Sequence, residues 1–234
     1  RGKRCRGVDL GRLMHDVNGV EPVRIGVIGA GGVMQQVHLP ALRKIEGAEI
    51  AAVCNSTVES AAAFIRKNGL GAQPVATWEQ VCQDPSLDVV WIAAPPGVNA
   101  DAACAALGSG KHAFCQTPLC LDGGETTGMA AAALGRPNLV SAVCPSRYGF
   151  RFSPFVIELI RRDTLGPLRQ LAFQGARNTA ADPAAPPHWS QLFEMTGVNF
   201  LNVTLIADTL LRWIGLPVRL RAQTRIFDEV RDGR

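Results

Sequence analysis

The stretch Val23-Arg24-Ile25-Gly26-Val27-Ile28-Gly29-Ala30-Gly31-Gly32-Val33-Met34 decides the fold. Its first six residues, apolar apart from Arg24, read as a strand buried on both faces. The glycine cluster that follows reads as a tight turn, and helical spacing then runs through Leu42 and Ile45. A glycine loop between a strand and a helix is where a G-x-G-x-x-G/A fingerprint belongs. Gly29 permits the turn, and Gly31 lets backbone approach a pyrophosphate resting on the amides at the helix N-terminus. Met34 occupies the third fingerprint position, where Gly or Ala is usual, and predicts a helix set slightly further from the strand. A glycine turn without a ligand is the competing reading.

Outward from this loop, strands alternate with helices. Glu49–Cys54 is a second apolar strand, and Ser56-Thr57-Val58-Glu59 is a capping box opening a helix Thr57–Asn68, which Gly69 and Gly71 end. Thr77-Trp78-Glu79-Gln80 opens a short helix. Asp88–Ala93 is a third strand stopped by Pro95-Pro96. A helix Ala100–Leu107, a strand Ala113–Cys115, a helix near Gly124–Leu134 and a strand Leu139–Cys144 follow. Apolar strands interleaved with helices predict an α/β fold, a doubly wound parallel Rossmann sheet over residues 23–146. Beyond it, Leu168–Arg177 and Val218–Phe227 alternate with period two, the second showing Arg219, Arg221 and Arg225 on one face. With a long helix Thr196–Ile214 between them, residues 147–234 read as an α+β domain with a mostly antiparallel sheet. Two strands make a small sheet, so this domain is expected to be incomplete. Residues 1–22 read as a basic leader.

Composition narrows the function. Of 234 residues, 47% are hydrophobic and 19% charged, which excludes a disordered chain, a collagen or a coiled coil. Apolar runs such as Val89–Ala94 fall well short of the roughly 20 residues a transmembrane helix needs. Net charge is +4, much of it from Arg1, Lys3, Arg4, Arg6 and Arg12, and Tyr148 is the single tyrosine, so no nucleic-acid surface is expected. The leader reads as a solvated tail, an arm docking into a larger assembly, or the remnant of a targeting peptide. The seven cysteines form no C-x-x-C pair and sit mostly in apolar runs, as buried reduced thiols do. The expected location is therefore the cytoplasm, or an organelle matrix if the leader is processed. His15, His38, His112 and His188 lack ligand spacing, and no metal site is expected.

The end of the second strand should carry an acid for an adenosine ribose. Here the chain reads Cys54-Asn55-Ser56. Asn55 can hydrogen-bond a hydroxyl without repelling a 2′-phosphate, yet no arginine stands beside it to grip one. An ordinary turn residue is the alternative.

Further stretches carry a resemblance: His38-Leu39-Pro40-Ala41-Leu42, Ile92-Ala93-Ala94-Pro95-Pro96, Gly108-Ser109-Gly110-Lys111-His112, Cys115-Gln116-Thr117-Pro118-Leu119, Arg151-Phe152-Ser153-Pro154 and Leu165-Gly166-Pro167-Leu168. With the glycine loop, this ordered series resembles the Gfo/Idh/MocA oxidoreductases (glucose-fructose oxidoreductase, inositol dehydrogenase and relatives). The resemblance implies NAD or NADP held by Gly29, Gly31, Gly32, Val33, Met34, Asn55, Ser56, Ala94, Pro95 and Gln116. It also implies homo- or hetero-oligomers formed through the C-terminal sheet.

The departures bear on chemistry. Family members usually read Glu-Lys-Pro where this chain has Gln116-Thr117-Pro118, and the lysine ordinarily helps polarise the reacting hydroxyl. Aligned with the family's second-domain helix, Leu201 stands where an acid belongs and Leu205 where a histidine belongs, while Asp208 is retained. Asn99 replaces a common histidine. These losses imply a dinucleotide-binding protein without the usual acid–base groups, a non-catalytic subunit or binding protein. The runner-up is an active NAD(P)-dependent oxidoreductase on a sugar, polyol or similar alcohol. It would use His188 or Tyr148 as an unconventional acid/base; an exposed loop position is the simpler reading of His188.

Overall fold

Parallel pairing starts at β1 (Val23–Ile28), buried from Ile25 onward. It pairs with β2 (Ala48–Cys54) from Val23↔Ala48 to Ile28↔Cys54, with a register slip between Ile25 and Gly26. A three-residue strand, β3 (Gln73–Val75), pairs parallel with the end of β2, and no sequence pattern announced it. β4 (Val89–Ile92), β5 (His112–Gln116) and β6 (Ser141–Cys144) complete a six-stranded sheet of order β3-β2-β1-β4-β5-β6, with β5 and β6 also parallel. This is the doubly wound Rossmann order, whose topological switch point falls between β1 and β4. The computed structural model describes residues 21–144, 152–175, 188–197 and 201–223, with backbone alone for 201–205. The chain divides into two units, one up to Trp91 and one from Ile92.

In the first unit, the helical segment after the glycine loop is not a plain α-helix. Met34–His38 is π-helical, with Leu39 N–H reaching back to the Met34 carbonyl, and only then comes α1 (Leu39–Leu42). Pro40 accounts for the widened turn, since it has no N–H to offer the Gln36 carbonyl and its ring crowds that oxygen. α2 (Val58–Asn68) is capped by Thr57, whose Oγ1 accepts from Ser60 N–H at 3.1 Å while Ser60 Oγ accepts from Thr57 N–H at 3.2 Å. The box thus closes one residue later than the Ser56–Glu59 reading. Gly69, at φ 60°, ends the helix in the left-handed conformation expected of it. α3 (Trp78–Gln83) opens with the expected box of Thr77 and Gln80. Val81 of α3 and Leu87 after it close on β1, where a Cβ on Gly26 would stand 2.5 Å from Val81 and 2.7 Å from Leu87.

In the second unit, α4 (Pro96–Gly108) begins four residues earlier than the sequence suggested. Pro96 does not block the helix, because a first-turn residue has no intrahelical use for its N–H. α5 (Gly123–Leu134) is capped by Asp122, whose Oδ1 accepts from Gly124 and Glu125 N–H at 2.7 and 3.0 Å. α6 (Ser153–Arg161), α7 (Phe193–Thr196) and α8 (Leu201–Ile214) follow. The single helix expected over Thr196–Ile214 is divided, since Gly197 leaves helical geometry at φ 58°. The strands expected at Leu168–Arg177 and Val218–Phe227 lie partly outside the described residues. Over 168–175 and 218–223 no strand forms, and Leu168, Val218 and Leu220 are exposed. Alternation alone does not make a strand; its N–H and C=O groups need a neighbour to pair with. Among the described residues, no helix is long and apolar enough to cross a membrane.

Candidate functional site

The carboxyl end of β1 turns at Gly29, whose φ of 89° lies in the region glycine alone enters freely. Two hydrogen bonds stitch the loop to the end of β2: Gly29 N–H to the Cys54 carbonyl at 2.9 Å, and Ala30 N–H to Asn55 Oδ1 at 3.3 Å. Gly31 and Gly32 are exposed, and a Cβ on either would meet nothing within 4 Å. The first helical bond runs from Gln35 N–H to the Gly31 carbonyl at 3.0 Å, so the amides of Gly32, Val33 and Met34 have no intrahelical acceptor. Open space above bare backbone, with donors at a helix start, fits a dinucleotide's phosphates. Met34 contributes backbone only, because its side chain is completely buried. Ser56 is exposed, its Oγ 3.5 Å from Ser60 Oγ.

In the second unit, half-buried Ala94 and Pro95 precede α4, with Pro95 as its N-cap. Asn99 on α4 is 1% exposed and braces the turn after β5. Its Nδ2 donates to the Gln116 carbonyl at 3.3 Å and the Pro118 carbonyl at 2.9 Å. Gln116 Nε2 donates to the Thr117 carbonyl at 3.1 Å, and the Thr117–Pro118 peptide is cis. Asn99 Oδ1 and Thr117 Oγ1 are buried with no hydrogen-bond partner among the described residues. Asn99, Gln116 and Thr117 offer hydrogen bonds but no side chain that takes a proton near neutral pH. Sequence reasoning noticed Asn99 only as a replacement and missed the brace; its signal is a polar residue on the apolar face of a helix.

Among the described residues, the other candidates have local partners of their own. His188 caps the 3₁₀ turn Trp189–Gln191, with Nδ1 2.8 Å from Ser190 Oγ and its ring 5.2 Å from that of Trp189. Tyr148 lies outside the described residues, as do the side chains of Leu201 and Leu205 in α8. Asp208 accepts from Arg212 Nε at 3.1 Å, an exposed pairing along one helix. His38 is buried edge-on to Trp91 at 5.3 Å, and His112 Nδ1 accepts from Val140 N–H at 2.8 Å. Cys115 lines an apolar cavity of about 190 Å³ with Ala103, Leu107, Met129 and Val143. Burial, and then the neighbouring Cys120 and Cys144, push its thiol up to about 12. Cys54, at the end of β2, is likewise raised by burial and by the Glu79 carboxylate.

Residues 23–143 match an oxidoreductase family with an NAD-binding Rossmann fold. The levoglucosan dehydrogenase of Pseudarthrobacter phenanthrenivorans is 30% identical over 190 residues, which cover 73% of this chain and 45% of that enzyme. Over 98 residues, 42% of this chain and 29% of the enzyme, the inositol 2-dehydrogenase of Salmonella paratyphi B is 32% identical. An oxidoreductase domain protein from Kribbella flavida shares the fold with a TM-score of 0.70 at 24% identity, covering 84% of this chain and 55% of its own. A 3-ketoreductase from Actinomadura kijaniata, solved in complex with NADP and TDP-benzene, aligns with a TM-score of 0.53 at 24% identity over 61% of this chain and 43% of its own. The chain spans about half the length of these relatives, or less.

Proposed function

This chain belongs to the Gfo/Idh/MocA oxidoreductase family, and from that premise we propose that it binds a nicotinamide dinucleotide without performing the family's acid–base chemistry. The dinucleotide rests on the Gly29–Gly32 loop of the first unit, with the amides of Gly32–Met34 taking the phosphates. A bound nicotinamide supplies hydride chemistry. Oxidising an alcohol by that route also needs a group to receive the hydroxyl proton, typically worth about 10²–10⁴-fold in rate. That is roughly 3–5 kcal/mol of barrier.

The observation that carries the reading is the neutral cluster around Thr117. Where the resemblance implies a lysine, the chain has a short hydroxyl, buried and flanked by the carboxamides of Asn99 and Gln116. Asp208, the acid retained from the family pattern, is paired with Arg212, and Nδ1 of His188 is engaged in a local cap. We read the protein as a binding or non-catalytic subunit that assembles with copies of itself. Its apolar residues Leu134, Val140 and Val143, at 81%, 64% and 50% exposure, support an assembly.

Titration with NADH, followed by coenzyme fluorescence, should show saturable binding. The same preparation, offered sugars, polyols and their keto forms with oxidised or reduced coenzyme, should turn over none of them. Brisk turnover that disappears in His188→Ala would replace this reading with that of an active oxidoreductase using a relocated base. An absence of saturable binding would sink the dinucleotide reading itself.

A further inference from the structure

Asn55 stands immediately after β2, and its carboxamide has a defined orientation. The Ala30 N–H can only donate, so the atom facing it at 3.3 Å is the carbonyl oxygen Oδ1. That leaves the Nδ2 amide group as the side chain's donor, with no acceptor on it. A carboxylate at this place accepts from an adenosine 2′-hydroxyl and repels a 2′-phosphate. An amide NH2 neither accepts nor repels; it donates to a hydroxyl oxygen and, more strongly, to a charged phosphate oxygen, so parity depends on what surrounds it.

We propose that Asn55 positions the glycine loop through Oδ1 and sets coenzyme choice through Nδ2, so that the chain takes NADP and NAD with similar affinity. This rests on the reading that the Gly29–Gly32 loop holds a dinucleotide. The surroundings argue for parity over a strong NADP preference. Residues Asn55–Ser60 contain no lysine or arginine to grip a second phosphate. Glu59 lies in the first turn of α2, and Glu79 is close enough to Cys54 to raise its thiol, so carboxylates partly offset what the missing acid would permit. Ser56, exposed and uncharged, adds a hydroxyl that serves either coenzyme.

Parallel calorimetric titrations of the whole chain with NAD and NADP, at one low ionic strength, test the proposal. The two dissociation constants should agree within about tenfold, the ratio that 1.4 kcal/mol represents. Asn55→Asp keeps an acceptor for Ala30 N–H and adds a charge. It should keep NAD binding and weaken NADP by about tenfold or more, as expected when a full charge faces a phosphate. Asn55→Ala removes the stitch and Nδ2 together and should weaken both coenzymes, NADP more than NAD because the lost donor bonds a charged phosphate more strongly. Thermal melting of each variant separates a folding defect from a binding one. A wild-type ratio beyond tenfold, or an Asn55→Asp ratio equal to the wild type's, overturns the proposal while leaving dinucleotide binding intact. Failure of both coenzymes to bind the folded wild type overturns the dinucleotide reading and this inference with it.

Discussion

A methyl group added within β1 and one added to the loop that follows should have opposite consequences. Gly26→Ala would drive Cβ to within 2.5 Å of Val81 and 2.7 Å of Leu87, both packed in the core. Overpacking of this kind costs about 1–3 kcal/mol, so the urea midpoint should fall, while the folded fraction still binds NADH. Gly31→Ala meets no atom within 4 Å, so its stability should stay within about 0.5 kcal/mol of wild type. The added methyl instead occupies the space a pyrophosphate would enter, and NADH affinity should drop. Equal losses of stability in the two variants would refute this division of labour. Cys115 makes a third residue-level prediction, about pH. Its thiol is raised to about 12 in the folded chain, against about 8.5 in an unfolded one. A raised pKa means the fold holds the proton. The stabilisation is therefore complete below the unfolded value and is lost as pH climbs towards the folded one, by up to about 1.4 kcal/mol per pH unit. Stability measured at pH 8 and pH 10 should show this loss in the wild type and less of it in Cys115→Ala. Iodoacetamide should also leave Cys115 unmodified at pH 8 until the chain unfolds, because so little thiolate is present.

Elements were legible where one signal dominated. β1 was read to the residue and β2 to within one, because a strand covered on both faces is apolar along its length and no competing period intrudes. The capping residue Thr57 is a local chemical choice between adjacent hydroxyls. The pairing that won puts Ser60 at the third helical position, and its Oγ takes the Thr57 N–H. Thr57→Ala should lower stability by about 1 kcal/mol, and Ser56→Ala by much less, as chemical denaturation would show. β3 was missed because three residues, two of them exposed, carry no period. The π-helical turn was missed because the helical spacing reads straight through Pro40, whose effect falls on the carbonyl four residues earlier. The site divides in the same way. Glycine loops announce themselves through a backbone requirement that only one residue type meets. The bonds from Asn55 to Ala30 and from Asn99 to the turn after β5 join residues 25 and 17 to 19 positions apart, which no local pattern encodes.

At the scale of the whole molecule, the described residues of the two units differ in how much apolar surface they bury. The first buries Val27, Val53, Val81 and Met34 completely. In the second, α5 has no buried residue, β6 is the last strand in the sheet order, and an apolar cavity of about 190 Å³ is lined by residues from Ala103 to Val143. Among the described residues β6 has a strand on one side only, and apolar residues beside such an edge make it adhesive. Val140 and Val143 supply that apolar surface, and no charge on Ser141–Cys144 opposes a second strand. Copies of the chain should therefore associate through β6 in a concentration-dependent way, visible by sedimentation velocity across a dilution series. Edge lysines are the established defence against this pairing, and both valines are at least half exposed, so Val140→Lys with Val143→Lys should yield monomers without lowering thermal stability by more than about 0.5 kcal/mol. NADH affinity should be unchanged in the double variant, since neither valine is among the residues assigned to the dinucleotide. A wild-type chain that stays monomeric well above micromolar concentration, or a double variant that associates as strongly as its parent, would place the assembly surface elsewhere.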